Sequence, residues 1–95
     1  MERQNFRNKL KSLLMQRQAI EEKLQQTEEL RKIEIKNGEY NGPASLLHFA
    51  LFDEKYSLSA KIGKLHDKFN KAGFTVQQWY DDYNMYIDLF RMEVK

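Results

Sequence analysis

The first third of the chain repeats apolar residues at alternating intervals of four and three positions, and residues 1–37 contain neither Gly nor Pro. This spacing places apolar side chains along one side of an α-helix and is typical of coiled-coil packing. The pattern predicts one long helix over about residues 2–36. Its apolar seam consists of Phe6, Leu10, Leu13, Ile20 and Leu24, with Arg17 and Thr27 as polar interruptions.

The length of this helix predicts the shape of the protein. About 35 residues at ~1.5 Å per residue make a rod of ~50 Å, whereas a compact chain of this size has a radius of gyration of ~12 Å. We therefore expect an elongated molecule. Residues 32–40 also alternate apolar and polar residues around Asn37-Gly38, which is the pattern of a short β-hairpin. A helix that ends at Asn37-Gly38 is the preferred interpretation, because isolated two-stranded hairpins are marginally stable.

A second helix is predicted over about residues 43–71, because Pro43 suits the first turn of a helix, where its missing N–H costs nothing. This helix carries two apolar stripes on nearly opposite faces. We expect the first stripe to pair with helix one and the third helix to pack on the second stripe, with a backbone close to Gly63. The first stripe is Leu47, Leu51, Leu58, Ile62, Leu65 and Phe69, and the second is Phe49, Phe52, Tyr56, Ala60 and Gly63.

The third helix, about residues 75–93, has the clearest start signal in the chain. Thr75 and Gln78 form a capping-box pair, and Phe74 is placed to pack on Trp79 as a hydrophobic staple. The broad apolar face of this helix comprises Val76, Trp79, Tyr83, Tyr86, Ile87, Phe90 and Val94. A separate stripe of Met85, Leu89 and Met92 lies on another side, which indicates either an interface or a central position for helix three within one chain.

These elements predict a single all-α domain over residues 1–95, an elongated three-helix bundle or helical hairpin. The 95 residues are 41% hydrophobic and 32% charged, which is typical of a folded helical chain. The absence of cysteine excludes disulfides, thiolate nucleophiles and zinc-thiolate sites. With no apolar run of ~20 residues and no apolar signal-peptide core, we expect a cytoplasmic protein that does not enter a membrane.

The sequence contains no recognisable catalytic constellation. His48 and His66 fall on the polar side of helix two and are expected to be exposed, without the spacing of a metal site. No glycine-rich phosphate loop occurs among the four glycines. We therefore predict no catalytic residue, no cofactor, no metal and no small-molecule substrate, and we expect the protein not to be an enzyme.

The charge distribution suggests one alternative function. Up to Arg17 there are five basic residues and one acidic residue, although the whole chain has a net charge of only +2. Arg3, Arg7 and Lys11 recur every four residues and would form a basic stripe able to contact phosphate. Nucleic-acid binding through helix one is therefore the alternative, less favoured because basic stripes are more often solvated surface.

The leading hypothesis is a protein–protein interaction module, a small regulatory, adaptor or inhibitor protein of the kind that bacteria and phages encode. It would bind a protein partner, assemble as a homo-oligomer, or do both, because small domains with surplus apolar faces gain stability by association. The predicted interface residues are Met85, Leu89, Met92, Phe49, Phe52 and Tyr56.

Overall fold

The protein folds into three helices joined by short turns. The computed structural model describes the backbone of residues 2–93 and the side chains of residues 2–91. Helix α1 spans Arg3–Lys36, α2 spans Pro43–Lys71 and α3 spans Val76–Glu93. No strand occurs in residues 2–93, so the alternative of a β-hairpin near residues 32–40 is wrong. The molecule measures 54 × 28 × 17 Å with a radius of gyration of 16.8 Å, which confirms the predicted elongated shape.

Both long helices end in a Schellman motif, in which a glycine with positive φ reverses the chain. At the end of α1, Gly38 has φ +82° and the N–H of Glu39 donates to the carbonyl of Glu34 at 2.8 Å. At the end of α2, Gly73 has φ +99° and the N–H of Phe74 donates to the carbonyl of Phe69 at 3.4 Å. These two turns fold the helices back on one another.

Helices α1 and α2 pair along their apolar seams, as predicted. Two details of the prediction are wrong. Leu14 is buried and Leu13 only half-buried, because a straight helix drifts by ~20° per heptad and α3 adds a second neighbour here. Leu47 is 52% exposed, because the two helices meet only along the seam at this end of α2. The buried members of the α2 stripe are Leu51, Leu58, Ile62, Leu65 and Phe69.

The core has two parts, since α3 lies against only one half of the hairpin. In the three-helix half, Trp79, Tyr86 and Phe90 of α3 join the buried side chains of α1 and α2; these are Phe6, Leu10, Leu14, Ile62, Leu65 and Phe69. In the two-helix half, the core is restricted to Ile20, Leu24, Leu51 and Leu58. The hairpin end that carries the turn at residues 37–42 is therefore covered by no third helix among the described residues.

The prediction that α3 packs on the aromatic stripe of α2 is wrong. Helix α3 starts just after α2 ends, and its 18 residues extend ~27 Å, whereas Phe49 lies ~33 Å from Lys71 along α2. Instead, α3 contacts α2 through His66 and Phe69. A Cβ atom placed on Gly63 would meet no atom within 4 Å, so no backbone approaches this residue closely.

The start of α3 follows the sequence signature. The N–H of Thr75 donates to Gln78 Oε1 at 2.8 Å, and the N–H of Gln78 donates to Thr75 Oγ1 at 3.1 Å, which confirms the capping box. Phe74 stacks on Phe69 with ring centroids 4.7 Å apart, and Phe69 in turn contacts Trp79 at 5.6 Å. The predicted staple paired Phe74 directly with Trp79, whereas in the structure both rings pack on Phe69. Val76, predicted on the apolar face, is exposed, and Val94 lies outside the described residues.

The start of α2 is capped by a side chain from α1. The carboxylate of Glu34 accepts hydrogen bonds from the N–H of Ala44 at 2.7 Å, and from the N–H and hydroxyl of Ser45, both at 3.0 Å. The N-cap residue Gly42 has no side chain to do this, and a Cβ atom there would lie 2.5 Å from Glu34 Cδ. These contacts fix the hairpin end. They lower the pKa of Glu34, chiefly through the hydrogen bond from Ala44.

Substituting one phenylalanine from each apolar stripe of α2 tests which of the two stripes forms the core. Phe69 is 1% exposed and Phe49 is 50% exposed. Phe69→Ala should lower the free energy of unfolding by about 3–5 kcal/mol, because it leaves a cavity among three helices. Phe49→Ala should cost less than about 1 kcal/mol, since it removes a half-exposed ring at the surface. Urea denaturation followed by circular dichroism measures both, and similar losses would contradict this assignment of the core.

The Glu34 cap predicts a pH-dependent stability. Because folding lowers the pKa of Glu34 below its ordinary value of 4.5, its charged form stabilises the fold fully above that pH. This contribution is lost as the pH falls through the folded-state pKa. Glu34→Gln should lower the urea midpoint at pH 7, and its difference from wild type should shrink below about pH 4.5. The exposed Glu29→Gln is the control, and a difference independent of pH from 7 to 3 would refute the prediction.

Candidate interaction surface

Two of the three predicted phosphate-contacting residues are engaged within the protein. Arg3 donates to both carboxylate oxygens of Asp82, at 3.1 and 2.9 Å, and Arg7 donates to Asp82 Oδ1 at 2.9 Å. Asp82 itself is buried, and its hydrogen bond raises the pKa of Arg3. Lys11 remains exposed. The carboxylate therefore serves to hold α3 on α1, and the predicted basic stripe is divided.

Arg17 contributes a second polar contact between α1 and α3. Its guanidinium donates to the Tyr83 hydroxyl and lies 5.6 Å from the centroid of the Tyr83 ring. It also lies 3.8 Å from the carboxylate of Glu21, one turn further along α1. The charged group thus leaves the apolar seam at its edge, while the aliphatic stem stays against the helices.

The prediction that both histidines are exposed is wrong. His48 is buried where the two helices pair, with Nδ1 2.9 Å from Thr27 Oγ1 and Nε2 3.3 Å from Glu28 Oε2. The Thr27 hydroxyl also lies 3.1 Å from the carbonyl of Leu24, and the tautomer of His48 decides whether the hydroxyl or Nδ1 is the donor between the two side chains. The two polar seam residues Thr27 and His48 thus satisfy each other, which sequence periodicity did not indicate.

His66 is half-buried because α3 covers one side of it. Its ring stacks on Trp79 with centroids 4.6 Å apart and an interplanar angle of 9°. Its Nε2 is buried and has no hydrogen-bond partner among the described residues. The two histidines therefore serve separate packing sites.

Among the side chains of residues 2–91, no group of three or more His, Asp or Glu is placed to hold a metal ion. The three helices described are also not long and apolar enough to cross a bilayer.

The two-helix half of the hairpin carries a large share of the exposed apolar surface. We call the open groove there the hairpin-end groove; it has a volume of about 400 Å³ and is lined by Thr27, Leu30, Ile33, Glu34, Pro43, Ala44 and Leu47. Leu30, Ile33 and Leu47 are each more than half exposed. The exposed rings of Phe49 and Tyr56, with the half-buried Phe52 between them, lie on this half of α2.

The outer side of α3 is also uncovered. Met85 is 46% exposed and Leu89 is 40% exposed, and the acidic residues Asp81 and Asp88 beside them are exposed as well. The side chain of Met92 lies outside the described residues. Since one flank of α3 contacts the hairpin and this flank does not, α3 is not central within the described chain. We call these four described residues the acidic α3 face.

A basic groove, not predicted from the sequence, runs between α1 and α2 on the side away from α3. We call it the lysine groove. Its volume is about 380 Å³, and its lining comprises Lys9, Lys61, Lys64, Lys68, Phe6, Ser12, Leu13 and Leu65. The spacing of Lys61, Lys64 and Lys68 along α2 is the only signal in the sequence, since the contribution of Lys9 depends on the pairing of the helices.

The Asp82 contacts predict a role in attaching α3. Asp82→Asn keeps the shape of the side chain but removes the charge that holds Arg3 and Arg7. We expect a lower urea midpoint, since the neutral amide offers the two guanidinium groups only one acceptor oxygen and no negative charge. The exposed Asp88→Asn should leave the midpoint within experimental error. Equal midpoints for the two variants would show that the Asp82 contacts do not stabilise the fold.

Comparison with known proteins gives no relative for this chain. No protein-family model, no curated protein and no solved structure shows a significant match. Any functional assignment therefore rests on the residues and surfaces of the chain itself.

Proposed function

We propose that this chain is a small, non-enzymatic protein–protein interaction module that associates with itself or with a protein partner. The observation that supports this function is the incomplete cover that α3 gives to the hairpin. It leaves Leu30, Ile33 and Leu47 more than half exposed along one groove, and Met85 and Leu89 exposed on α3. Contiguous exposed apolar patches mark interaction sites more often than scattered apolar residues do.

The hairpin-end groove has the form of an incomplete bundle. Helices α1 and α2 bury their common seam in this half, but their adjoining flanks carry the apolar side chains of Leu30 and Leu47 to the surface. A further amphipathic helix laid along the groove would bury these side chains, as helices do in bundles and in helix-in-groove complexes. Glu34, which lines this groove, ties the end of α1 to the start of α2 beside it.

Adaptor, inhibitor and regulatory roles all use such a surface, and this proposal includes each of them. The absence of cysteine supports a cytoplasmic location, where a disulfide-free helical domain needs no oxidising environment. Nucleic-acid binding is the alternative function. Its support now comes from the lysine groove, because Arg3 and Arg7 are occupied by Asp82.

Light scattering over a range of concentrations tests the proposal. The wild-type chain should show a mass above 11.5 kDa that rises with concentration. A combined variant with Ile33→Asp, Leu47→Asp and Leu89→Asp should stay at 11.5 kDa, because a charge on each surface prevents its burial. The helical circular-dichroism signal should be unchanged, since all three positions are exposed.

The exposed Ser59→Asp serves as the control for the added charge and should associate like wild type. A wild-type mass of 11.5 kDa at all concentrations would exclude self-association. Affinity isolation with the wild-type chain and the combined variant would then test the partner. Recovery of the same proteins with both chains would contradict the proposed module.

A further inference from the structure

We propose that the acidic α3 face of one copy binds in the lysine groove of a second copy, so that the chain assembles head to tail. This inference rests on the proposed self-association but names a pair of surfaces distinct from the hairpin-end groove. Both surfaces belong to the three-helix half of the molecule.

The lysine groove combines an apolar floor with a positive rim. Phe6, Leu13 and Leu65 lie at its base, and Lys9 of α1 faces Lys61, Lys64 and Lys68 of α2. None of the four lysines makes an ion pair with a described residue, and no acidic residue lines the groove. Such a groove selects a ligand that presents an apolar ridge with negative charges beside it.

The acidic α3 face has this composition. Met85 and Leu89 form the exposed apolar ridge, and Asp81 and Asp88 are its exposed negative charges. At ~100° per residue, Asp81 and Asp88 lie within ~20° of each other on the helix, with Met85 only ~40° from Asp81. Leu89 lies ~40° beyond Met85, so the two carboxylates run along one side of the apolar ridge.

The spacing of the charges also matches. Lys61 and Lys68 are seven residues apart, which is ~10.5 Å along α2, and Asp81 and Asp88 have the same separation along α3. A helix laid along the groove would bring each aspartate near one lysine at the same time. Burial of the ridge would supply most of the affinity, while the two charge pairs fix register and suppress other partners.

The positions of the two surfaces determine the kind of assembly. Helix α3 contacts the hairpin through Arg7 and His66, whereas Lys9 and Lys64 project ~160° away from these residues on their helices. Each copy therefore binds one neighbour through its groove and another through α3, on opposite sides. This is a heterologous contact, which forms chains of copies unless the rotation between neighbours closes a ring.

A mixing experiment tests this arrangement. Every chain carries Ile33→Asp and Leu47→Asp, so that the hairpin-end groove cannot contribute. One variant adds Lys61→Glu and Lys68→Glu in the groove, and the other adds Asp81→Lys and Asp88→Lys on α3. Each variant alone should remain at 11.5 kDa, because like charges then face each other, and their equimolar mixture should assemble into larger species. In the mixture, the intact α3 face of one variant meets the intact groove of the other, and the two charge-reversed surfaces are complementary to each other as well.

The background chain with both surfaces intact should form species larger than dimers, and added salt should weaken this assembly by screening the charge pairs. The control is a double variant with Lys32→Glu and Lys36→Glu, at exposed positions outside the groove. It changes the net charge as much as the groove variant does and should not alter the assembly. A mixture that stays at 11.5 kDa would overturn the inference. So would binding of a single-stranded oligonucleotide that the groove variant alone abolishes, without any assembly of the protein, because it would assign the groove to nucleic acid.

The result also separates the two proposals. If the background chain is monomeric but the unmodified chain associates, the hairpin-end groove is the interface and the head-to-tail contact is wrong. If the background chain assembles as fully as the unmodified chain, the head-to-tail contact holds and the hairpin-end groove plays no part in self-association.

Discussion

The mismatch in helix length is the constraint on which the rest of the structure depends. Helices α1 and α2 have 34 and 29 residues, whereas α3 has 18 and begins immediately after the turn that ends α2. It therefore runs back along only one half of the hairpin. This single fact divides the core in two, leaves Phe49 and Tyr56 of α2 exposed and exposes the groove beside Leu47.

Polar residues placed in or beside the apolar seams are matched by partners on another helix. Thr27 meets His48, Arg17 meets Tyr83, and Asp82 meets Arg3 and Arg7. A buried polar group without a partner is costly, so each of these pairs favours one register of the helices over others. They hold a thin and elongated molecule in a single arrangement, where apolar contacts alone would permit the helices to slide. Glu34 adds a further constraint by tying the end of α1 to the start of α2.

Although the net charge of the chain is small, positive and negative side chains lie on separate sides of the three-helix half. Four lysines gather on one side of the hairpin, while Asp81 and Asp88 lie on the outer side of α3. Exposed charge pairs contribute little stability, but separated fields of opposite sign orient molecules that approach each other. The apolar residues next to each field would provide the contact area. Charge and exposed apolar surface thus occur together on both sides of this half.

The sequence by itself determined the helices, because their signals are local. The heptad spacing in α1, Pro43 at the start of α2, the glycines that end α1 and α2, and the Thr75 capping box each act within a few residues. It also determined which side of α2 pairs with α1, since only one stripe is aliphatic along most of its length. The exposure of Met85 and Leu89 was one of two outcomes that the pattern allowed.

Only the tertiary structure decided which residues of different helices meet. The burial of His48, the stacking of His66 on Trp79, the contacts of Arg3 and Arg7 with Asp82, and the lysine groove all arise between residues of different helices. Periodicity specifies the direction in which a side chain leaves its own helix but not what lies opposite. The side of the hairpin on which α3 lies depends on the turn at Gly73 and on the packing of Trp79, and neither is encoded by spacing along one helix.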